Sequence, residues 1–230
     1  MSQQEETEKI IAVIRDKAVC KQNVFDKTKE CYTALKGVLE SSLASIQEKF
    51  GDADSRVEFH FKDQGEYQAE IKVAGDVLIF FMHTNVFQIE QEHSLWRTSY
   101  LKEDPARAYV GVINIYNFLA DSFKYHRVQD LGYLIARIYV NKEGHFLVQG
   151  KRQLGFLYNN FINAELNEEA MQSIVNSALL YTLDFDLLTP PYQSMQEVSV
   201  QEIQALSQHL NVATGKRLGF KFSNDEDTFE

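Results

Sequence analysis

The sequence predicts a single α+β domain: an antiparallel sheet of about five or six strands, within residues 56–151, packed by N-terminal and C-terminal helices. Three observations lead there. No proline precedes Pro105 and Gly37 is the only glycine before Gly51, so the first fifty residues favour uninterrupted helix. Residues 57–73 then change to alternation of apolar and polar side chains, the two-residue period of a half-buried strand. Helical three-four spacing returns near residue 168.

Taken in order, residues 3–50 read as two helices or one kinked helix. Thr28, Tyr32, Leu35, Leu39, Leu43, Ile46 and Phe50 form one stripe, and Ile10, Ile14 and Ala18 an earlier one, with a change of phase around residues 21–25. Gly51 suits the C-terminal cap. Val57, Phe59 and Phe61 alternate with Glu58, His60 and Lys62. Beyond a turn at Gln64-Gly65, Tyr67, Ala69, Ile71 and Val73 alternate with Gln68, Glu70 and Lys72. Residues 77–82 are apolar on both faces and read as a central strand. Polar residues 88–104 interrupt the sheet, Ala108–Tyr116 reads as another buried strand, and 117–130 holds a short helix at most. Leu131–Asn141 and His145–Gln149 form a hairpin whose Gly144 supplies a left-handed turn residue. A helix from about Glu168 to Leu183, capped by Asn167, ends before Pro190-Pro191. Ser199 and Glu202 form a capping box for a last short helix, and Leu218, Phe220 and Phe222 alternate like an edge strand. No linker divides the chain, so one domain is expected over 1–222, followed by an acidic tail, 223–230.

Charge narrows the function classes. The chain carries a net charge of −10, and residues 161–230, with 3 basic and 11 acidic side chains, hold −8 of it. Between Arg152 and Lys216 lie 63 residues with no lysine or arginine, among them the carboxylates Glu165, Glu168, Glu169, Asp184, Asp186, Glu197 and Glu202. Such a field repels phosphate backbones, so nucleic acid is disfavoured as a partner. No window of eighteen apolar residues occurs, and the N-terminus Met1-Ser2-Gln3-Gln4-Glu5-Glu6 is acidic, so no membrane association and a cytoplasmic address are expected. On one helix Cys20 and Cys31 would stand about 16 Å apart, beyond disulfide reach, so reduced, partly buried thiols are expected.

Motifs give little chemistry. Asp63 with Glu70-Ile71-Lys72 has the composition of a restriction-type nuclease centre, where two carboxylates hold Mg²⁺ and a lysine steadies the attacking water. A hairpin in which paired numbers sum to 130 sets Glu58 opposite Lys72 and His60 opposite Glu70, with Asp63 on the other face; cross-strand charge pairing on a solvent face is the plainer reading. Gly51-Asp52-Ala53-Asp54-Ser55 starts like a calcium loop, but Arg56 falls where a ligand belongs. His60, His83, His93, His126, His145 and His209 lack zinc-site spacing, and no nucleophile or phosphate-loop motif occurs, so no cofactor is expected. Trp96-Arg97, Tyr100, Lys102 and Arg107 cluster aromatics with cations, a composition suited to protein interfaces. Lys124, His126, Arg127 and Lys151-Arg152 are the complement for the acidic third.

In element order alone, the chain resembles type III secretion chaperones, which implies protein binding. The resulting expectation is a non-catalytic protein-interaction or regulatory, chaperone-like module with a protein partner or a homodimer. Its interaction candidates are Trp96, Arg97, Tyr100, Asp184 and Asp186. The alternative is a metal-dependent nuclease, or another enzyme, using Glu70 and Lys72.

Overall fold

A computed structural model describes residues 3–189 and 191–201. Helix α1 (Gln3–Val13) passes through one widened turn, Ile14–Ala18, in which the Val19 N–H reaches back to the Ile14 carbonyl, and continues as α2 (Val19–Phe50). The expected break near residues 21–25 is absent. The phase change is absorbed instead by this π-type turn, which inserts extra backbone without a hairpin. Cys20 and Cys31 therefore share one helix and both are free thiols, buried against the body. Gly51 ends α2 at φ 57°, its N–H bonded to the Gln47 carbonyl at 3.0 Å.

The sheet comprises β1 (Phe59–Asp63), β2 (Gln68–Val73), β3 (Asp76–Met82), β4 (Phe87–Gln88), β5 (Tyr109–Leu119), β6 (Tyr133–Asn141) and β7 (Phe146–Gly150). It is antiparallel, seven-stranded and ordered β1-β2-β3-β5-β6-β7, with β4 pairing β5 beyond the end of β3. The first hairpin pairs residues that sum to 132, not 130: His60 faces Lys72 and Lys62 faces Glu70. Its loop is the four residues 64–67, centred one residue later than a Gln64-Gly65 turn, and Gln64 N–H bonds the Gln68 carbonyl across it. A shift of two leaves every side chain on its face, so the alternation holds although the pairing moves.

One face of the sheet meets the helices. Ala69, Ile71, Leu78, Phe80, Met82, Ile113, Ile115, Ile138 and Val148 pack there against Tyr32, Leu35, Leu39 and Leu43 of α2 and the apolar side of α6 (Glu168–Leu183). Each fully buried aliphatic chain contributes about 1.5–3 kcal/mol to this layer. The Tyr32 hydroxyl donates to the Phe80 carbonyl at 2.8 Å, and Ser42 of α2 donates to Gln172 of α6 at 2.9 Å, whereas the buried Thr182 hydroxyl of α6 has no hydrogen-bond partner among the described residues. β6 carries one extra residue, Ile135, between the partners of Ile115 and Tyr116; the bulge buries both Ile135 and Ala136. At Gly111, α2 crosses β5 so closely that Thr28 occupies the space of a side chain.

A smaller core covers one end of the opposite face. Residues 94–108, comprising a 3₁₀ turn (Ser94–Arg97), α3 (Ser99–Glu103) and a second 3₁₀ turn (Pro105–Ala108), lay Leu95, Tyr100, Leu101 and Ala108 on Val110, with Phe161 beside them. Short helices α4 (Ala120–Lys124) and α5 (Gln153–Phe156) complete the body. Helix α6 begins as expected, its Asn167 side chain accepting from the Ala170 N–H at 2.9 Å. Glu202 of the capping box with Ser199, the alternation at Leu218, Phe220 and Phe222, and the tail 223–230 lie outside the described residues.

Candidate interaction surface

The aromatic and cationic residues around Pro105 fasten their own segment to the sheet. Trp96 is half-buried and its indole N–H donates to the Ile89 carbonyl at 3.2 Å; Arg97 is exposed. Tyr100 is buried. Its ring lies between the Arg107 guanidinium, 4.3 Å from its centroid, and the His145 imidazole, stacked at 5.2 Å, and meets Phe161 edge-on. Its hydroxyl donates to Glu143 at 2.7 Å and accepts from the Asn141 amide at 2.8 Å, while Arg107 binds Glu143 at 2.9 Å. Lys142 pairs with Asp104, whose other oxygen accepts from the Ala106 N–H. Tyr100 thus joins α3 to the turn between β6 and β7, leaving Arg97 and Lys102 as the outward members of the cluster.

Two carboxylates in this joint set its pH response. Burial opposes charge on Glu143, yet hydrogen bonds from Tyr100 and Arg107 outweigh it and hold its carboxyl below the ordinary 4.5. The hydrogen bond from Lys142 holds Asp104 below the ordinary 3.8. Both groups therefore contribute stability that is present above those ordinary values and is lost as pH falls through the lower values of the folded state. The expected result is release of residues 94–108 as pH falls below the ordinary carboxylate range, ahead of the main core. Fluorescence of Trp96, the only tryptophan, should shift there before the far-ultraviolet circular dichroism changes; coincident transitions would refute this order.

The nuclease-like residues do not come together. Asp63 lies on the face of β1 turned to α2 and binds Lys36 at 2.7 Å and its own turn at Gly65 N–H. Glu70 lies on the opposite face, accepting from Gln64 at 2.8 Å with Lys62 3.9 Å away. Lys72 pairs with Glu58 diagonally across the hairpin. Among the described residues no group of three or more histidine, cysteine, aspartate or glutamate side chains has the geometry to hold a metal ion, and no helix is long and apolar enough to cross a membrane.

Asp184 and Asp186 lead to a different surface. Asp184 caps α6 and pairs with Arg152, whose guanidinium also lies over Tyr181 at 5.5 Å; Asp186 is exposed. With the Tyr158 and Ser177 hydroxyls 3.1 Å apart, these contacts set α5 beside the C-terminal half of α6. From Ala170 to Leu183 helix α6 has no charged residue, and its outward residues are Ser173, Asn176, Leu180 and Leu183. Leu180 is 65% exposed, and Phe156 and Leu157 of the α5 segment 62% and 55%. Leu187 and Leu188 continue the apolar surface beyond the helix. Within the stretch without cations, α6 thus presents an uncharged, partly apolar face with carboxylates at its two ends, Glu168 and Glu169 at one and Asp184 and Asp186 at the other. Charge composition marked the stretch, but only the helix position of Leu180 and Leu183 shows that they point outward.

No family model, curated protein or solved structure matches this chain. The resemblance to type III secretion chaperones rests on element order alone.

Proposed function

We propose that this protein is a non-catalytic interaction module whose α5–α6 face docks an amphipathic helix of a partner protein. The observation that carries the reading is the outward side of α6, fourteen residues without a charge and with Leu180 and Leu183 uncovered. Charged residues are depleted from the cores of protein interfaces, whereas an outer helix face that meets only water ordinarily carries lysine, arginine and glutamate. The chemistry of the occupant follows from the same surface. An apolar, uncharged stripe fits against Phe156, Leu180 and Leu183, and basic residues at its ends meet Glu168 and Glu169 at one end and Asp186 at the other, where Asp184 is already paired with Arg152.

A photoreactive residue in place of Asn176 tests this in the cells that make the protein. The expected result is one dominant cross-linked protein, joined through a helical segment with lysine or arginine at its ends. Leu180→Asp, at the centre of the face, should weaken binding of that purified partner by about thirtyfold, as for a central contact worth about 2 kcal/mol. Folding should be unaffected, because an exposed position usually moves stability by less than about 0.5 kcal/mol. Absence of an adduct, or binding indifferent to Leu180→Asp, would exclude the face.

A further inference from the structure

We infer that the helical arm Gln3–Val19 pairs antiparallel with the same arm of a second copy of this chain. Every residue of the arm is exposed, and burial begins only at Cys20. Yet Ile10, Ile11, Val13 and Ile14 are large apolar side chains, 59%, 47%, 60% and 57% exposed. At about 100° per residue they share one side of the helix, with Ile10 and Ile14 at its centre. A solvated arm has no use for such a stripe, and among the described residues nothing in the body covers it.

Charge identifies the occupant. Residues 3–8 carry Glu5, Glu6 and Glu8 and no cation, whereas residues 9–19 carry Lys9, Arg15 and Lys17 against Asp16 alone. The same angular steps put Glu6, Val13 and Lys17 along one flank of the stripe and carry Glu8 and Arg15 past Ile11 toward the far side. The widened turn at Ile14–Ala18 moves Lys17 by only part of a residue step, which leaves it on that flank. With a two-fold axis at Ala12, an antiparallel pair sets Ile10 against Ile14 of the second copy and Glu6 beside its Lys17, once at each end of the contact. An in-register parallel pair would oppose like charges at each of those positions. The arm therefore carries both halves of its own complement, as an isologous two-fold contact requires.

The contact is modest. Seventeen residues make a rod about 25 Å long, and four apolar side chains on each copy fall well below the roughly 1,600 Å² of a standard interface. The dimer is therefore weak, with dissociation in the micromolar range, and forms independently of the α5–α6 face.

Sedimentation velocity on the full chain from about 1 to 200 μM tests the inference. Wild type should pass from monomer to dimer across that range, and Ile10→Asp with Ile14→Asp should remain monomeric. Glu6→Lys, and separately Lys17→Glu, should each weaken the dimer about fivefold; both changes in one chain should restore it to within about twofold. A wild-type monomer at the highest concentration overturns the inference, as does a double variant no better than the single ones. Thermal melting of the body should be the same in every variant, because every residue of the arm from 3 to 19 is exposed.

Discussion

Gly111→Ala is expected to destabilise the protein by about 2–3 kcal/mol, the range of a side chain forced into a filled core. A β-carbon there would lie 2.1 Å from the Thr28 hydroxyl oxygen and 2.7 Å from both other side-chain carbons of that residue. Thr28 has no room to rotate away. It is fully buried, and its hydroxyl donates to the Val24 carbonyl at 2.7 Å within α2. Retreat of α2 would open the layer in which Tyr32 and Leu35, each at most 1% exposed, contact the sheet. The loss should show as a lower urea midpoint with unchanged slope. Its cause is separable. Thr28→Gly alone costs about 0.3 kcal/mol of helix propensity, the difference between glycine and threonine, plus lost packing, but combined with Gly111→Ala it removes the obstruction, so the pair should be at least about 1 kcal/mol more stable than the two losses added. A loss below about 0.5 kcal/mol for Gly111→Ala would mean that the two elements separate easily.

Which parts of this fold were legible in the sequence follows from how local their causes are. Helix α6 could be read at both ends because Asn167 caps it through its own neighbour and the proline pair stands beyond it. The β6–β7 hairpin could be read because Gly144, at φ 81°, answers to a turn three residues long. The register of β1 with β2 depends instead on Asp63, which is drawn to Lys36 on a distant helix as well as to the Gly65 N–H. A two-residue slip between partners leaves no trace in alternation. The widened turn at Ile14–Ala18 has no proline or glycine to announce it, so a phase change was visible and its position was not. Tyr100 illustrates the same limit at the candidate site. Its composition suited an outer surface, but its neighbours Asn141, Glu143 and His145 lie about forty residues away and turn it inward.

The cation-free stretch also changes meaning once folded. Its carboxylates suggested an acidic face, but Glu168 and Glu169 stand at the start of α6, where they offset the positive end of the helix dipole, and Asp184 is matched by Arg152. What remains between them is uncharged. Absence of lysine and arginine is therefore better read as exclusion of charge from a contact than as accumulation of negative charge, and this separates a docking face from an electrostatic lure.

Asn141→Ala should cost about 3 kcal/mol, because a single fully buried amide there serves three partners. Its oxygen accepts from the Glu143 N–H at 2.9 Å and the His145 N–H at 3.0 Å, closing the turn after β6, and its nitrogen donates to the Tyr100 hydroxyl at 2.8 Å. Alanine leaves two backbone donors without their acceptor and takes from Tyr100 the donor that directs its own proton to Glu143. Tyr100→Phe removes the other side of the same link, so the two changes together should cost at least about 1 kcal/mol less than their sum. Asn141→Asp divides the amide's two roles. An aspartate keeps the acceptor that closes the turn, but its charge would be buried beside the Glu143 carboxylate, and both effects raise its pKa in the folded state. An acid with a raised folded pKa costs nothing below its unfolded value of about 3.9 and increasingly more as pH rises toward the folded value. The deficit of the aspartate variant relative to wild type, measured by urea unfolding, should therefore grow from pH 4 to pH 7, whereas that of the alanine variant should shrink toward acid only as Glu143 protonates. A deficit for aspartate that is flat over this range would show that residue 141 reaches water, and that the joint between α3 and the hairpin is open rather than closed.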